Sequence, residues 1–283
     1  MGNSYRIAAL VAITVATVAC TASLVPIGQD PTYHNFADGR VFLGVTNFLD
    51  VASNLPFLFV GLWGLFVVFN WRTTFVANIE RWPYMIFFLG VALTSVGSSY
   101  YHLHPDNARL VWDRLPMTLG FMGILSAELA ERVNRKASVV LLPLLVFAGI
   151  ASVIYWYATE AGGNGDLRPY LLVQFGSLLI VVVSFLLFRS PYTQQKWFVV
   201  ALSAYVAAKL LEIFDEKVYG ALRFVSGHTL KHLAAAAAAC CIVQMLRQRS
   251  IAHAGSTLWR VCSPDGTCDC SDRHPSPASN YLA

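Results

Sequence analysis

The sequence predicts an all-α integral membrane protein, a bundle of apolar helices crossing a bilayer. Two observations predict it. Of 283 residues, 56% are hydrophobic and only 13% are charged, whereas a soluble domain carries roughly 25% charged residues to wet its surface. The apolar residues also fall into eight stretches of about 20, the length a helix needs to cross the hydrocarbon core with its backbone groups satisfied internally. The same composition excludes other classes. Aromatics at 13% are too many for a disordered chain. The formal charge of +4 is scattered and forms no basic stripe, so nucleic acid is not an expected partner.

The first stretch, 7–27, follows Arg6 and has the look of either a signal peptide or a retained helix. Thr17-Val18-Ala19-Cys20 faintly resembles a lipoprotein cleavage site. The run is long for a signal and lacks the usual leucine, so a retained helix is the expectation; cleavage would leave seven spans. Pro31, Asp38 and Gly39 break the chain before the second stretch, 41–69. The third, 82–101, stops before Pro105, and the fourth, 110–129, follows a short turn. The fifth, 138–158, ends at Gly162-Gly163-Asn164-Gly165, and the sixth, 170–188, at Ser190-Pro191. The seventh, 197–214, contains Lys209 and Glu212, and the eighth covers 225–246. Beyond about Ser250 a tail rich in Ser, Pro, Asp and Cys reads as disordered. No repeat of fixed period is present.

Lys/Arg bias sets orientation. Arg6, Arg72, Arg81, Arg132, Arg135, Lys136, Arg189, Lys196, Arg247, Arg249 and Arg260 fall on one side. Arg40, Arg109, Arg168, Lys217 and Arg223 fall on the other. The richer side is expected to be cytoplasmic and to hold both termini.

Ionisable residues at membrane depth are costly and usually functional. They concentrate in two blocks, Ser98-Ser99-Tyr100-Tyr101-His102-Leu103-His104-Pro105 with the following Trp112-Asp113-Arg114-Leu115-Pro116-Met117, and Ser226-Gly227-His228-Thr229-Leu230-Lys231-His232. His228 and His232 are four apart, so on a helix their imidazoles share one face and can reach one ion. Ser98 and His102 have the same spacing. By the charge bias, His102, Asp113, His228 and His232 all lie toward the non-cytoplasmic side. Three imidazoles with one open position make a catalytic zinc set. The alternative is that these histidines pack at helix ends and bond loop carbonyls. His104 competes with His102, but it precedes Pro105 in the turn.

Ser98-x-x-x-His102, Asp113 with Pro116-Met117, and His228-x-x-x-His232 together resemble the alkaline ceramidase family. The pattern is also similar to the wider superfamily of seven-helix membrane hydrolases that includes the adiponectin-receptor branch. The resemblance covers about residues 46–247, and Asp50-Val51-Ala52-Ser53-Asn54 resembles the family's Ser-Asn segment. It implies a seven-helix hydrolase core over 41–249, preceded by an extra helix and acidic loop over 1–40 and followed by a tail over 250–283. It implies that His102, His228 and His232 bind zinc, with Asp113 and Ser98 completing a catalytic site that cleaves ceramide. The first span has no counterpart in that core. The family's eukaryotic members bind calcium through an acidic, tryptophan-containing stretch. Here Gln29 to Asp38 lacks tryptophan and Asn47 replaces a glutamate, which puts a calcium site in doubt.

The expected substrate is a lipid arriving laterally from the bilayer. Asp113 is expected to shuttle a proton, the alternatives being that it orients a histidine or pairs with Arg109 or Arg114. Ser98 is expected to steady an oxyanion, or else to bond its own backbone or a neighbouring helix. The residues themselves do not separate an amide from an ester. A receptor on the same scaffold is the competing reading; a transporter would show internal duplication, which is not found. Ala234 to Ala239 reads as a packing surface. Lys209, Glu212 and Asp215 read as an ion-paired helix end, or as a polar approach to the site. Cys262, Cys268, Cys270 and His274 lack the paired CxxC spacing of a tail metal site.

Overall fold

The computed structural model describes residues 2–70 and 72–252. The tail cysteines and His274 lie outside the described residues. Among those described are nine helices and no strand. They are α1 (Asn3–Ser23), α2 (Phe48–Phe69), α3 (Arg81–Leu103), α4 (Asn107–Arg132), α5 (Arg135–Ala161), α6 (Arg168–Leu187), α7 (Lys196–Ile213), α8 (Asp215–Leu222) and α9 (Gly227–Gln248). The architecture is the expected all-α bundle.

Each of the eight apolar stretches coincides with a helix. Six helices are long and apolar enough to cross a membrane, as a multi-pass membrane protein requires. The expected fourth and seventh spans differ. α4 carries Asp113, Arg114, Glu128, Glu131 and Arg132 and falls short on composition. It is nevertheless a continuous helix buried among its neighbours, so its charged groups face protein rather than lipid. α7 qualifies only together with α8, across an 82° bend.

α4 is central and packs against α3, α5 and α6, while α9 packs against α7, α2 and α3. Two small residues position the site. Pro116 has no N–H, so the Trp112 carbonyl one turn earlier has no helical donor from it. That carbonyl faces Gly97, where an added Cβ would lie 1.9 Å from the oxygen. The absence of a side chain at Gly97 lets α4 press against α3 beside Ser98. At Gly227 an added Cβ would meet the Leu211 carbonyl at 2.2 Å, so the start of α9 abuts the end of α7 and the α7–α8 bend. α1 lies against α6 and buries only Leu10.

The helix ends away from these glycines are tied by buried charges. Glu128 pairs with Arg132 at 2.5 Å, Glu131 with Arg249, and Glu80 with Arg135. Tyr84 donates to Glu131 at 2.7 Å and Tyr192 donates to Glu80. Three of the cations counted on the richer side, Arg132, Arg135 and Arg249, are therefore engaged with acids, as are Arg40, Arg109 and Arg168 on the other.

Candidate metal centre

His102 comes from the last turn of α3, and His228 and His232 from the first two turns of α9. All three are buried. Their ring centroids form a near-equilateral triangle with sides of 4.8, 5.0 and 5.0 Å. One nitrogen from each lies within 4.8 Å of the others, the only such group of three ligating side chains among the described residues.

Nε2 of His102 and Nε2 of His228 stand 3.3 Å apart. Two nitrogens each about 2.0–2.1 Å from one tetrahedral ion would be about 3.3–3.4 Å apart, so the donors fit a shared ion. The third ring is oriented by its other nitrogen. Nδ1 of His232 lies 2.8 Å from Ser53 Oγ, and Ser53 donates to the Asp50 carbonyl at 3.0 Å. With its proton committed there, the Ser53 oxygen accepts from His232 Nδ1–H. Nε2 of His232 then keeps its lone pair for a ligand. Nδ1 of His102 has no hydrogen-bond partner among the described residues.

The start of α9 is held from two sides. Ser226 caps it, accepting from the Thr229 N–H at 3.0 Å. Asp215 Oδ1 accepts from the His228 N–H at 2.7 Å, and Asp50 Oδ1 accepts from Thr229 Oγ1 at 2.6 Å. Carboxylates at a helix N-terminus satisfy its free N–H groups and oppose its dipole. Asp50 is fully buried and its Oδ2 has no hydrogen-bond partner among the described residues.

Loop 24–47 covers the histidines. Phe36 sets its ring against His102 and His228, at centroid distances of 4.6 and 4.4 Å. His34 bonds Tyr101 and Asn107 at 2.9 and 3.0 Å, and the Ala37 N–H donates to Asp215 Oδ2 at 3.0 Å. Asn47 donates to the His102 carbonyl at 2.8 Å. The loop acids have partners of their own. Asp30 accepts from the Thr32 N–H and hydroxyl, each at 2.8 Å, which holds its carboxyl below the usual range. Asp38 accepts from Arg40 at 2.5–2.7 Å, and that guanidinium likewise holds its carboxyl low.

Where Gly97 abuts Trp112, the next residues Ser98 and Asp113 are buried on facing turns of α3 and α4. Both line a cavity of about 510 Å³ that His232 also lines. Its remaining wall is largely apolar, with Phe57, Val91, Phe121, Leu178, Phe198 and Ile242 among its residues. Asp113 forms no ion pair with either arginine proposed for it. Arg109 pairs with Asp106, and Arg114 bonds Gln29 at 2.7 Å. His104 is exposed at the end of α3, away from the cluster.

Lys209 and Lys231 both pair with Glu212, Lys231 at 2.7 Å, and all three line the cavity. The ion-paired end and the polar approach are thus the same group. Asp215 does not join it, because the bend after α7 turns that carboxylate toward α9. Sequence reasoning gave no role to Phe36, gave Asp215 a different one, and noted Asp50 and Ser53 only as part of a segment that resembles the family's. Of these, Asp50 alone left a signal, as a carboxylate within an apolar stretch.

The donor set can hold one metal ion through three buried nitrogens, with a carboxyl and a hydroxyl nearby. No protein-family model matches this chain, and no curated protein matches it.

Proposed function

We propose that this protein is a zinc-dependent hydrolase of membrane lipids, with His102, His228 and His232 as metal ligands and a ceramide-like amide as substrate. The observation that carries this reading is the buried triangle of three imidazoles, one of which, His232, lines a largely apolar cavity together with Asp113 and Ser98. Three nitrogen ligands suit zinc. The apolar wall suits long hydrocarbon chains, and the resemblance to alkaline ceramidases favours an amide over an ester.

A zinc ion held there would make water nucleophilic near neutral pH and polarise a carbonyl. Asp113 takes the proton as water adds to the carbonyl carbon. It returns that proton to nitrogen as the C–N bond breaks, leaving a fatty acid and a sphingoid amine. The Ser98 hydroxyl donates to the carbonyl oxygen as it gains charge. Ser53 keeps His232 in the tautomer that leaves Nε2 free. In the bilayer, Lys/Arg bias favours cytoplasmic termini and a site toward the opposite face.

The test is metal analysis joined to product release. Purified protein should carry one zinc per chain, and His228→Ala and His232→Ala should lose most of it. Fatty-acid release from ceramide should fall by about 10²–10⁴ in Asp113→Asn at equal zinc content. Full zinc retention in both histidine variants would overturn the metal assignment. Equal rates would remove Asp113 from the chemistry, and cleavage of ester lipids alone would remove the ceramidase reading.

A further inference from the structure

The cavity holds a cationic group that amide hydrolysis does not use. Arg114 follows Asp113 on α4, lines the cavity and is 5% exposed. Its guanidinium lies over Trp156 at 4.1 Å and Tyr170 at 4.7 Å, with Tyr33 at 5.6 Å. Nη2 donates to Gln29 Oε1, but Nη1 is buried without a hydrogen-bond partner among the described residues. No carboxylate among the described residues forms an ion pair with it; Asp113 feels Arg114 only through space. A buried guanidinium without a counter-ion is costly in a protein interior and more so in a membrane.

The other two cations on the lining are already paired. Lys209 and Lys231 share the single carboxylate of Glu212. The other two acids on the lining, Asp113 and the exposed Asp30, form no ion pair with Arg114, and Asp30 accepts from Thr32 instead. Guanidinium donors fixed by aromatic stacking match an oxyanion, which a planar fork can take in two parallel hydrogen bonds.

We propose that Arg114, with Lys231, forms a binding site for the oxyanion head of a lipid, a carboxylate or a phosphate ester, whose chain runs along the apolar wall. The site stands apart from hydrolysis: it would hold such a lipid whether or not the metal centre is catalytic.

The test titrates the purified full-length protein with oleate, oleoyl lysophosphatidate and oleyl alcohol, at alkaline pH where the fatty acid is ionised. At least one anion should bind about tenfold tighter than the alcohol, the difference expected of hydrogen bonds to a charged group. Preference for oleate assigns the site to fatty acids, and preference for lysophosphatidate to phospholipids. Arg114→Gln should abolish the preference while alcohol affinity is unchanged, and Arg114→Lys should keep part of it. If Arg114→Gln no longer binds the alcohol, Lys231→Met is read in its place and should show a reduced preference. The preference should survive in His228→Ala; its loss there would put the head on a bound metal and overturn the assignment to Arg114. Equal binding of alcohol and both anions by the wild type, or an undiminished preference in Arg114→Gln, would also overturn it.

Discussion

Ser53→Ala separates the metal centre from a mere packing of three histidines. In the folded protein the Ser53 oxygen lies 2.8 Å from His232 Nδ1, and both side chains are buried. Without a metal the imidazole is free to change tautomer, so loss of the serine has little effect. With a metal on Nε2 the proton is confined to Nδ1 and must find an acceptor. Leaving such a donor buried and unpaired costs about 1–3 kcal/mol, which is about 5–150-fold in metal affinity. Loss of a partner that orients a metal-bound histidine costs 10–100-fold in general. The Asp50 carbonyl, 3.0 Å from Ser53 Oγ, is freed of the Ser53 proton and offers a nearby acceptor that offsets part of the loss. The expected effect is therefore about tenfold. The assay is zinc competition against a chelator of known affinity, with the melting temperature of the metal-free protein as control. Unchanged affinity with unchanged melting would refute the tautomer argument, and a large fall in metal-free stability would show that Ser53 serves packing instead.

Three further outcomes are expected. Gly97→Ala sets a Cβ 1.9 Å from the Trp112 carbonyl and should destabilise by about 1–3 kcal/mol, whereas Gly120→Ala, with nothing within 4 Å, should be neutral or slightly stabilising; equal thermal melts in detergent would refute the close contact of α3 and α4. Asp166 in the α5–α6 loop has its carboxyl held down to about 2 by the Arg168 guanidinium. Because the folded value lies below the unfolded value of about 3.9, the pair stabilises above about pH 4 and is lost as pH falls toward 2. Asp166→Asn should therefore be less stable than wild type by about 1–2 kcal/mol at neutral pH, with the gap closing in acid; a gap constant with pH would refute the pair. A topology reporter after Leu246 should read cytoplasmic and one within 162–165 should read outside, and the reverse pattern would invert the orientation.

The sequence by itself determined the helices and the local half of the site. Helix-forming apolar stretches are set by composition over about 20 residues, and each coincides with a helix. The pairing of His228 with His232 is local too, because four residues make one helical turn. The charges of α4 were visible as well. What composition could not state is that they face neighbouring helices, so a stretch expected as a span is one whose polarity the bundle absorbs. The convergence of His102 on His228, 126 residues away, was legible only through resemblance to a family pattern. Its geometric cause is tertiary: the Gly97–Trp112 and Gly227–Leu211 contacts fix how closely α3, α4, α7 and α9 approach. Asp215 shows the same limit. Helical spacing put it with Lys209 and Glu212, but the 82° bend after α7 turned it to cap α9. Ser53 against His232, Phe36 over two imidazoles and Arg114 over Trp156 are contacts between segments far apart in the chain. Periodicity reports which face a residue occupies, and only packing decides what that face meets.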